Sequence, residues 1–570
     1  MELKNSIENL NLYLSKPWIK FYAEYTPKEE INIPNKPLHS ILDETASKYP
    51  NRIALIFLDK KITYKQLKED TDRFANALQN LGIKKGDVVS LLLPNTPHFV
   101  ISYYAILKIG AIVSPISPLY KPPEIEYQLK DSGAETIIIL DLLYDNFKVI
   151  KDKTNVKRTI VADIRDYLSG IKKLLYPLKM KPPKIEYKEG IFKFKDLLKY
   201  TPNYKQVEIN PKEDVAAYMY TGGTTGLPKA AKLSHYNILS NVYQTDSWIK
   251  KQDEPHRVLA VLPFFHIYGQ TVCLNFGIYR GSTLILMPRP DLKGIFENIV
   301  KYKVDIMPGV PTLYIQIINS PLVKKYDIKS IKYCISGAAA LPVEVLKKFE
   351  SLTGGKLREG YGLTEASPVT HCNPLEGIYK EGSIGIPLPN TLAAIVHSEK
   401  NIFLGIDEVG ELVVAGPQVM LGYHNRPEEN EKIFFEYKGI KWLRTGDMAK
   451  MDKDGYFYIV DRKKEIIKYK GYSVYPREIE EIIYSHEAVK EAAVVGIPDP
   501  EVGERIKAYV VLKDEYKGKI KEEDIISYLK DKLAPYKLPK MVEFKENLPK
   551  SMVGKILKRV LIEEELKKKV

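Results

Sequence analysis

The sequence predicts an α/β protein with a large N-terminal domain of layered α/β subdomains, mostly parallel in their sheets, and a small α+β C-terminal domain. Between residues 37 and 120, helix-like and strand-like patterns follow one another along the chain. Such a β-α-β rhythm is typical of parallel sheets that are covered by helices. The 570 residues are also too many for a single hydrophobic core.

The first elements follow from the hydrophobic spacing. Apolar residues recur at helical intervals in residues 37–50, and residues 52–67 have the pattern of two strands about a turn at 59–61. An amphipathic helix then stops at Gly82, because glycine favours helix termination. The next predicted elements are a buried strand at 87–94, a helix at 96–111 and a strand at 112–117.

The pattern changes near residue 461. A turn at 452–455 joins two β-rich runs into a hairpin, and a charged connector follows. Beyond the connector, the order helix, strand, strand, helix predicts an independent α+β unit. We therefore divide the chain into an N-terminal domain at 1–460, a hinge at 461–464 and a C-terminal domain at 465–570.

Composition narrows the classes of function. The net charge is +14, but the lysines are dispersed among glutamates, and we find no zinc finger, RRM-like signature or basic helical run, so we expect no nucleic-acid partner. No run approaches the roughly 18 apolar residues of a membrane span, and the polar N-terminus lacks a signal core. The three cysteines, Cys273, Cys334 and Cys372, lie far apart, which predicts a reduced, cytoplasmic chain without disulfides.

A basic amphipathic segment leaves two interpretations open. Between Ala162 and Lys184, apolar residues share one helical face, basic residues lie elsewhere, and Pro177 ends the helix. The apolar face consists of Ile164, Tyr167, Leu168, Ile171, Leu174 and Leu175. Such a helix either packs its apolar stripe on its own domain or contacts the inner face of a membrane or the second subunit of a homodimer.

The stretch YTGGTTGLPK, residues 220–229, combines backbone freedom, hydroxyl groups and one cation directly after a predicted strand. The glycine N–H groups can approach phosphate oxygens, the threonines add donors, and Lys229 adds a positive charge. The loop residues are Thr221, Gly222, Gly223, Thr224, Thr225 and Gly226. A helix with Ser234 as its N-cap is predicted next. Pro228 and Ala230 flank the lysine, so the loop departs from the GxxxxGK[ST] pattern of kinases and GTPases.

This loop resembles the phosphate loop of the adenylate-forming superfamily, which contains the acyl-CoA synthetases, the adenylation domains of non-ribosomal peptide synthetases, and firefly luciferase. Further stretches match in the same order: LPFFHIYG, GYGLTEASP, WLRTGD with VDRKKEIIKYKGY, and LPKSMVGKILKR near the end. The resemblance covers nearly the whole chain. It implies an AMP-forming ligase that uses ATP, Mg²⁺ and coenzyme A and that has a mobile C-terminal domain.

The resemblance implies a nucleotide site. Tyr361 would stack on adenine, Asp447 would accept both ribose hydroxyls, and Arg462 would reach the ribose or a phosphate. Small and polar residues would line the rest of the nucleotide. They are Gly337, Ala338, Ala339, Glu359, Gly360 and Gly362. Glu359 departs from the family pattern, because relatives often have another polar residue at this position. The resemblance therefore supports its contact with adenine less strongly than the other contacts.

The resemblance also assigns the phosphate and acid ends. Thr364 would meet the α-phosphate, and Glu365 would bind Mg²⁺ together with a loop hydroxyl, for which Thr221 is the candidate. His266 would gate or shape the acyl pocket, or simply pack there. It is not needed as a general base, because the acid substrate is already a carboxylate at neutral pH.

Lysines near the end of the chain would serve the two steps. Lys555 would bridge the attacking carboxylate and the leaving pyrophosphate, whose negative charges a cation stabilises. Lys464 resembles the hinge residue about which the small domain turns. That turn would bring Lys468 and Gly471 into the site for the second step, in which Gly471 would line the pantetheine channel.

The acid is predicted from what the motifs lack. Phe264 and Phe265 stand where amino-acid-activating relatives have an acidic residue, and Gly362 stands where acetate-specific relatives have a tryptophan that shortens the pocket. We therefore expect a fatty acid of long or medium chain, with a short, hydroxylated or aryl acid as the alternative. A non-catalytic binding protein with the same fold would have lost key side chains. Those side chains are present as Glu365, Asp447 and Lys555.

Overall fold

The structure is a computed structural model that describes residues 2–168, 170, 173, 176, 181–221, 227–470, 472–551 and 554–568. It has the predicted fold class, with mixed α/β sheets in a large N-terminal part and a smaller α+β unit after it. Its helices are α1 (Glu2–Leu14), α2 (Ser40–Lys48), α3 (Tyr64–Asn80), α4 (Pro97–Lys108), α5 (Pro122–Ser132), α6 (Tyr144–Lys148), α7 (Phe194–Leu197), α8 (His235–Ser247), α9 (Phe276–Tyr279), α10 (Leu292–Tyr302), α11 (Pro311–Asn319), α12 (Val343–Thr353), α13 (Pro427–Ile433), α14 (Pro476–Tyr484), α15 (Glu522–Lys530) and α16 (Lys558–Lys567). Within the described ranges, no helix combines the length and the apolar character that crossing a bilayer requires.

An eight-stranded sheet forms the first layer. Its order is β18-β9-β8-β4-β3-β5-β6-β7, and the pairs from β8 to β7 are parallel. The strands are β3 (Val88–Leu92), β4 (Ile112–Pro115), β5 (Thr136–Leu140), β6 (Arg158–Ala162), β7 (Ile191–Lys193), β8 (Val215–Thr221), β9 (Lys229–Ser234) and β18 (Gly422–Tyr423). Its inner strands are continuous apolar runs, because helices cover both faces of a parallel sheet.

Two four-stranded sheets follow. The first has the order β10-β11-β1-β2 and the second β12-β13-β14-β15, and Ile306 bridges β10 to β12. The strands are β1 (Ile53–Phe57), β2 (Lys60–Thr63), β10 (Arg257–Ala260), β11 (Thr283–Leu286), β12 (Tyr333–Ser336), β13 (Lys356–Gly362), β14 (Val369–Cys372) and β15 (Ile386–Pro387). The predicted hairpin at 52–67 is shorter than expected, because Thr63 and Gln66 form a capping box that starts α3.

The fourth sheet of the N-terminal part is antiparallel throughout. Its order is β16-β17-β20-β19, and β21 pairs with β20. The strands are β16 (Leu392–Val396), β17 (Gly410–Ala415), β19 (Phe434–Tyr437), β20 (Ile440–Met451) and β21 (Phe457–Arg462). The predicted hairpin at 452–455 is confirmed, since it joins β20 to β21.

The C-terminal unit has its own sheet, in the order β23-β22-β25-β24, with β26 beside β25. The strands are β22 (Ile467–Tyr469), β23 (Tyr472–Val474), β24 (Val489–Asp499), β25 (Gly503–Leu512) and β26 (Met541–Phe544). Two hydrophobic clusters of the protein consist only of residues from Ile467 onward. The unit therefore has a core of its own, while the hinge at 461–464 stays a prediction.

The surroundings of the glycine- and threonine-rich loop differ from the expected strand-loop-helix order. The loop joins β8 to β9, which pair in an antiparallel manner, and only then does α8 begin. Ser234 caps α8 as predicted, because its side chain accepts the N–H of Asn237. Strand β9 (Lys229–Ser234) was not predicted, because its own apolar pattern is too short to indicate a strand. Pairing with β8 defines it instead.

The predicted helix at 162–184 is wrong at its start. Ala162 ends β6, and a single 3₁₀ turn covers Ile164 to Tyr167. Both Ile164 and Tyr167 are buried in the main hydrophobic core, and Leu168 and Tyr176 pack against it. This part of the apolar face is therefore packed on the domain. Ile171, Leu174 and Leu175 lie outside the described residues.

Replacing Ile164 by glutamate is expected to destabilise the protein by roughly 3 kcal/mol, because an unpaired carboxylate would enter the core. Thermal denaturation followed by circular dichroism measures the change. Lys173→Glu is the matched control, since Lys173 is exposed and the charge change does not enter the core. Equal stability of the two variants would contradict the packing that we describe.

Candidate active site

One large cavity lies where the N-terminal part meets the C-terminal unit, and it has a volume of about 2990 Å³. Most of the residues that the motifs single out line it. They are Thr221, Lys229, His266, Gly337, Ala338, Ala339, Glu359, Gly360, Tyr361, Gly362, Thr364, Glu365, Asp447, Arg462, Lys464 and Lys555. Gly222, Gly223, Thr224, Thr225, Gly226 and Gly471 lie outside the described residues. Stretches that are far apart in sequence thus converge on one space.

The ends of the phosphate loop are fixed by strand pairing. Thr221 and Lys229 are opposite each other in the β8–β9 ladder. Next to them, the Tyr220 hydroxyl donates to Asp131 Oδ2 at 2.9 Å, and the Tyr127 hydroxyl of α5 donates to the Pro228 carbonyl at 2.8 Å. The loop therefore starts and ends at one well-anchored point of the cavity wall.

Lys229 is paired with residues that the sequence patterns did not reveal. Its Nζ lies 2.7 Å from Glu429 Oε2 on α13 and 5.5 Å from the centre of the Tyr423 ring. The Tyr423 hydroxyl donates to Glu365 Oε1 at 2.6 Å. A chain of contacts thus connects the loop cation with the predicted Mg²⁺ ligand. Glu429 and Tyr423 are close only because β18 pairs with β9, so no local spacing could have identified them.

The predicted ribose and adenine residues contact one another. The Tyr361 hydroxyl at the end of β13 donates to Asp447 Oδ2 at 2.5 Å. Asp447 is opposite Arg462 in the β20–β21 ladder, and Arg462 Nε lies 3.6 Å from Asp447 Oδ1. Burial and the neighbouring Asp447 raise the pKa of Tyr361 well above its usual range, so the phenol stays protonated and donates.

The opposite wall is a loop of small residues after β12. A Cβ on Gly337 would lie 3.1 Å from the ring of Tyr268, so only glycine fits without displacement. The Tyr268 hydroxyl is held by the Ile335 carbonyl at 2.8 Å. Ala338 has a φ of 71°, a left-handed conformation that turns the loop. The backbone is thereby exposed to the cavity, as expected for a wall that a flat base approaches.

Glu359 is buried beside this wall. Its Oε2 accepts the N–H of Leu341 at 3.3 Å. Burial raises the pKa of Glu359 to about 7, although the Arg477 guanidinium on α14 and that N–H act in the opposite direction. The carboxyl is therefore divided between its two protonation states near neutral pH. Its predicted contact with adenine stays a prediction.

The phosphate end contains the short turn Thr364 to Ala366, which follows β13. The Glu365 carbonyl accepts the N–H of Met420 at 2.8 Å, so the turn is fixed to the segment that leads into β18. Among the described residues, no group of three or more His, Cys, Asp or Glu side chains is placed to hold a metal ion.

His266 lies between β10 and a buried π-helix at Gly269–Asn275. Its Nδ1 accepts the N–H of Tyr268 at 3.2 Å. Burial lowers the pKa of His266 to about 4, so the ring is neutral at physiological pH. The residue therefore adds shape and no charge to the cavity.

Gly362 corrects one expectation. A Cβ on Gly362 would lie 2.2 Å from the Pro368 carbonyl oxygen and 3.0 Å from Val369 Cα. The glycine is therefore required by the close turn between β13 and β14. It does not leave space for an acyl chain, and a side chain here would disturb the turn whatever the acid.

Lys555 reaches the same cavity from the C-terminal tail. Its backbone N–H and carbonyl are bound by Ser551, and the preceding Gly554, with φ of 75°, lies directly against Thr312 of α11. Burial lowers the pKa of Lys555 to about 8, and the nearby Arg462 guanidinium contributes to the decrease. The tail lysine thus lines the same cavity as the Asp447–Arg462 pair.

Of the two remaining predicted lysines, one lines the cavity and the other does not. Lys464 is exposed and lines the cavity. Lys468 on β22 is exposed, lies outside the cavity lining and donates to Ser473 Oγ at 2.8 Å. In this arrangement the residues predicted for the first step are together, and Lys468 is separated from them.

Known proteins are similar to this chain in sequence and in fold. The family described as AMP-binding enzyme matches residues 42–424, and the family described as AMP-binding enzyme C-terminal domain matches residues 478–555. A long-chain-fatty-acid–CoA ligase of Bacillus subtilis (strain 168) is 45% identical over 556 residues, which cover 96% of this chain and 98% of that protein.

Two crystal structures extend the comparison. ATP-bound MatB from Rhodopseudomonas palustris is 27% identical, with a TM-score of 0.82 over 93% of this chain and 99% of that one. A long-chain-fatty-acid–CoA ligase from Archaeoglobus fulgidus is 28% identical, with a TM-score of 0.68 over 91% and 98% of the two chains. The converging motifs, the fold and these matches agree: the chain belongs to the AMP-binding enzyme family.

Proposed function

We propose that this protein is an AMP-forming fatty acid–CoA ligase. It joins a fatty acid of long or medium chain to AMP with release of pyrophosphate, and then transfers the acyl group to coenzyme A with release of AMP. The observation that carries the proposal is that Lys555 of the C-terminal tail lines the same cavity as Asp447, Arg462, Tyr361 and Glu365. A protein that only bound nucleotide would not need the tail lysine at that place.

In the first step, a carboxylate oxygen of the acid attacks the α-phosphorus of ATP. A new O–P bond forms, and the bond to the bridging oxygen breaks as pyrophosphate leaves. Attacking and leaving groups are both anionic, so cations that face them lower the barrier. Lys555 and Arg462 supply this charge from the tail and the hinge side, and the Thr364 hydroxyl can donate to an α-phosphate oxygen.

The residues fit a Mg²⁺ ion that arrives with ATP. In such sites the ion keeps several waters and uses one or two carboxylates together with phosphate oxygens. Glu365 offers a carboxylate at the cavity, and the Tyr423 hydroxyl orients it through Oε1. When bound, the ion neutralises charge on the phosphate oxygens.

In the second step, the sulfur of coenzyme A attacks the carbonyl carbon of acyl-AMP. The C–S bond forms, the bond to the AMP oxygen breaks, and the thiol proton leaves. Lys468 and Gly471 are the residues predicted to serve this step, and Lys468 lies outside the cavity here. A turn of the small domain about Lys464 would bring them in.

The acid is expected at the apolar part of the cavity. Phe265, Ile267, Leu363 and Val369 line it, and these side chains suit a hydrocarbon chain. The relatives named above as long-chain-fatty-acid–CoA ligases support a fatty acid. ATP and coenzyme A complete the set of small-molecule partners.

Contact with a membrane surface and formation of a homodimer stay predictions. Burial of Ile164 and Tyr167 favours packing on the domain for the first part of the basic segment. Co-sedimentation with anionic vesicles at increasing salt concentration separates the two interpretations, because salt screens attraction to a charged surface.

A panel of acids from acetate to palmitate, with benzoate added, tests the proposed substrate class. We expect kcat/KM to rise about fourfold for each added methylene until the pocket is full, since a buried CH₂ contributes about 0.8 kcal/mol. Acyl-CoA formation and pyrophosphate release are both measured. Highest activity with acetate or benzoate would contradict a fatty-acid substrate.

Replacing Lys555 by alanine should slow acyl-AMP formation about a hundredfold or more, because one charge that stabilises the transition state is lost. Transfer from pre-formed acyl-AMP to coenzyme A should be spared. Lys530→Ala removes a positive charge from the exposed surface of α15 in the same unit and serves as the control. Equal losses in both half-reactions would refute the role of Lys555.

The pH dependence of the first step follows from the lowered pKa of Lys555, about 8. Only the protonated amine carries charge, so kcat/KM for ATP should fall as the pH rises through about 8, since this parameter reports the free enzyme. Lys555→Arg should have a lower maximum but no decrease near pH 8, because a guanidinium stays charged. A parallel decrease in the arginine variant would assign the titration to another group.

A further inference from the structure

Asp461 is a buried carboxylate at the end of β21, three positions before the predicted hinge residue Lys464. Its Oδ1 accepts the N–H of Arg462 at 2.7 Å, within its own strand. Its Oδ2 accepts the N–H of Arg477 at 2.8 Å, and Arg477 lies in the first turn of α14 in the C-terminal unit. One side chain of β21, at the first position of the predicted hinge, thus holds the start of a helix in the C-terminal unit.

Helix α14 has no cap of its own. Tyr475 is its N-cap residue and makes no side-chain hydrogen bond to the helix. The first N–H groups of a helix need acceptors, and a carboxylate near that end also interacts favourably with the helix dipole. Asp461 therefore satisfies a requirement of α14 that the local sequence leaves open.

A cluster of charged side chains lies within the C-terminal unit near this contact. Lys558, the first residue of α16, has a largely buried side chain. Its Nζ lies 2.8 Å from Glu480 Oε1 and 3.1 Å from Glu465 Oε2. Although burial opposes its charge, the carboxylates Glu480, Glu465 and Asp461 raise the pKa of Lys558. Lys558 follows Lys555 by three positions, so the cluster holds the tail that carries the proposed catalytic lysine.

A turn of the C-terminal unit would affect the contacts of Asp461 and those of Lys558 differently. Glu465, Glu480 and Lys558 all belong to the C-terminal unit and would move together. Asp461 is in β21, where it is opposite Met448 of β20, and would stay with the N-terminal part. Of these contacts, only those of Asp461 therefore join the C-terminal unit to the N-terminal part.

We propose that Asp461 is a positioning residue that holds the C-terminal unit in the arrangement in which Lys555 reaches the nucleotide site. It acts through the Arg477 N–H and touches no reacting atom. The inference rests on the proposed function, because it assumes that Lys555 serves the first step and that a second arrangement serves the second. Loss of the Asp461 charge then slows acyl-AMP formation and leaves thioester formation intact.

The test compares the two half-reactions in Asp461→Asn. We expect acyl-AMP formation from palmitate and MgATP to be about tenfold slower, the size of one lost hydrogen bond to a charged group. Formation of palmitoyl-CoA from pre-formed palmitoyl-AMP and coenzyme A should stay within about twofold of the wild type. Asp461→Ser, which keeps a hydroxyl acceptor without charge, should give the same division between the steps.

Asp452→Asn is the matched control. Asp452 lies in the hairpin after β20, accepts two backbone N–H groups through Oδ1 at 2.9 and 3.0 Å, and pairs with Lys380 at 2.5 Å. It resembles Asp461 in its bonds but does not line the cavity. Both half-reactions should stay at the wild-type level in this variant.

The outcomes separate the inference from the function on which it rests. Equal losses in both half-reactions of Asp461→Asn and Asp461→Ser, or no loss in either, would overturn the positioning role. A wild-type protein that forms no acyl-AMP from any fatty acid would instead overturn the proposed function.

Discussion

The pairing of β20 with β21 is the constraint on which the site depends. It places Asp447 opposite Arg462, and the second strand ends there, within the predicted hinge at 461–464. The carboxylate then receives the Tyr361 hydroxyl from another sheet, and Lys555 approaches from the tail. Residues from four separate parts of the chain thus depend on the register of one hairpin. A shift of one position would turn Asp447 to the other face of the sheet.

The cations that line this cavity are stabilised in two different ways. Lys229 and Arg462 already have acidic neighbours, Glu429 and Asp447, that offset the cost of holding a cation partly away from water. Lys555 depends on more distant carboxylates and is correspondingly easier to deprotonate. Phosphate groups of ATP would complete its environment, so the tail lysine is the cation with most to gain when the nucleotide binds.

The sequence predicted the parts of the site that local motifs specify. Tyr361, Thr364 and Glu365 share one stretch, and Asp447 and Arg462 flank one hairpin, so their residue types and order were enough to predict that they meet in one cavity. Partners that come from pairing of distant segments were missed, among them Glu429, Tyr423 and the contact between Asp461 and Arg477. The sequence also could not show that a side chain at position 362 would meet the backbone of Pro368 and Val369. That contact follows from the turn between β13 and β14. Strand β9 was missed for the same reason, since its ladder with β8 and not its own pattern defines it.

The close approach of Gly554 to Thr312 has a consequence for the fate of the intermediate. A Cβ on that glycine would lie 2.4 Å from the threonine hydroxyl, so the tail meets α11 with no gap for a side chain. Acyl-AMP is a mixed anhydride, and water competes with coenzyme A for its carbonyl carbon. A tail that lies against α11 narrows the path of water at this part of the cavity wall while the anhydride forms. A turn of the small domain for the second step would separate this contact, and the yield of thioester per ATP consumed would then depend on how briefly the anhydride is exposed to solvent.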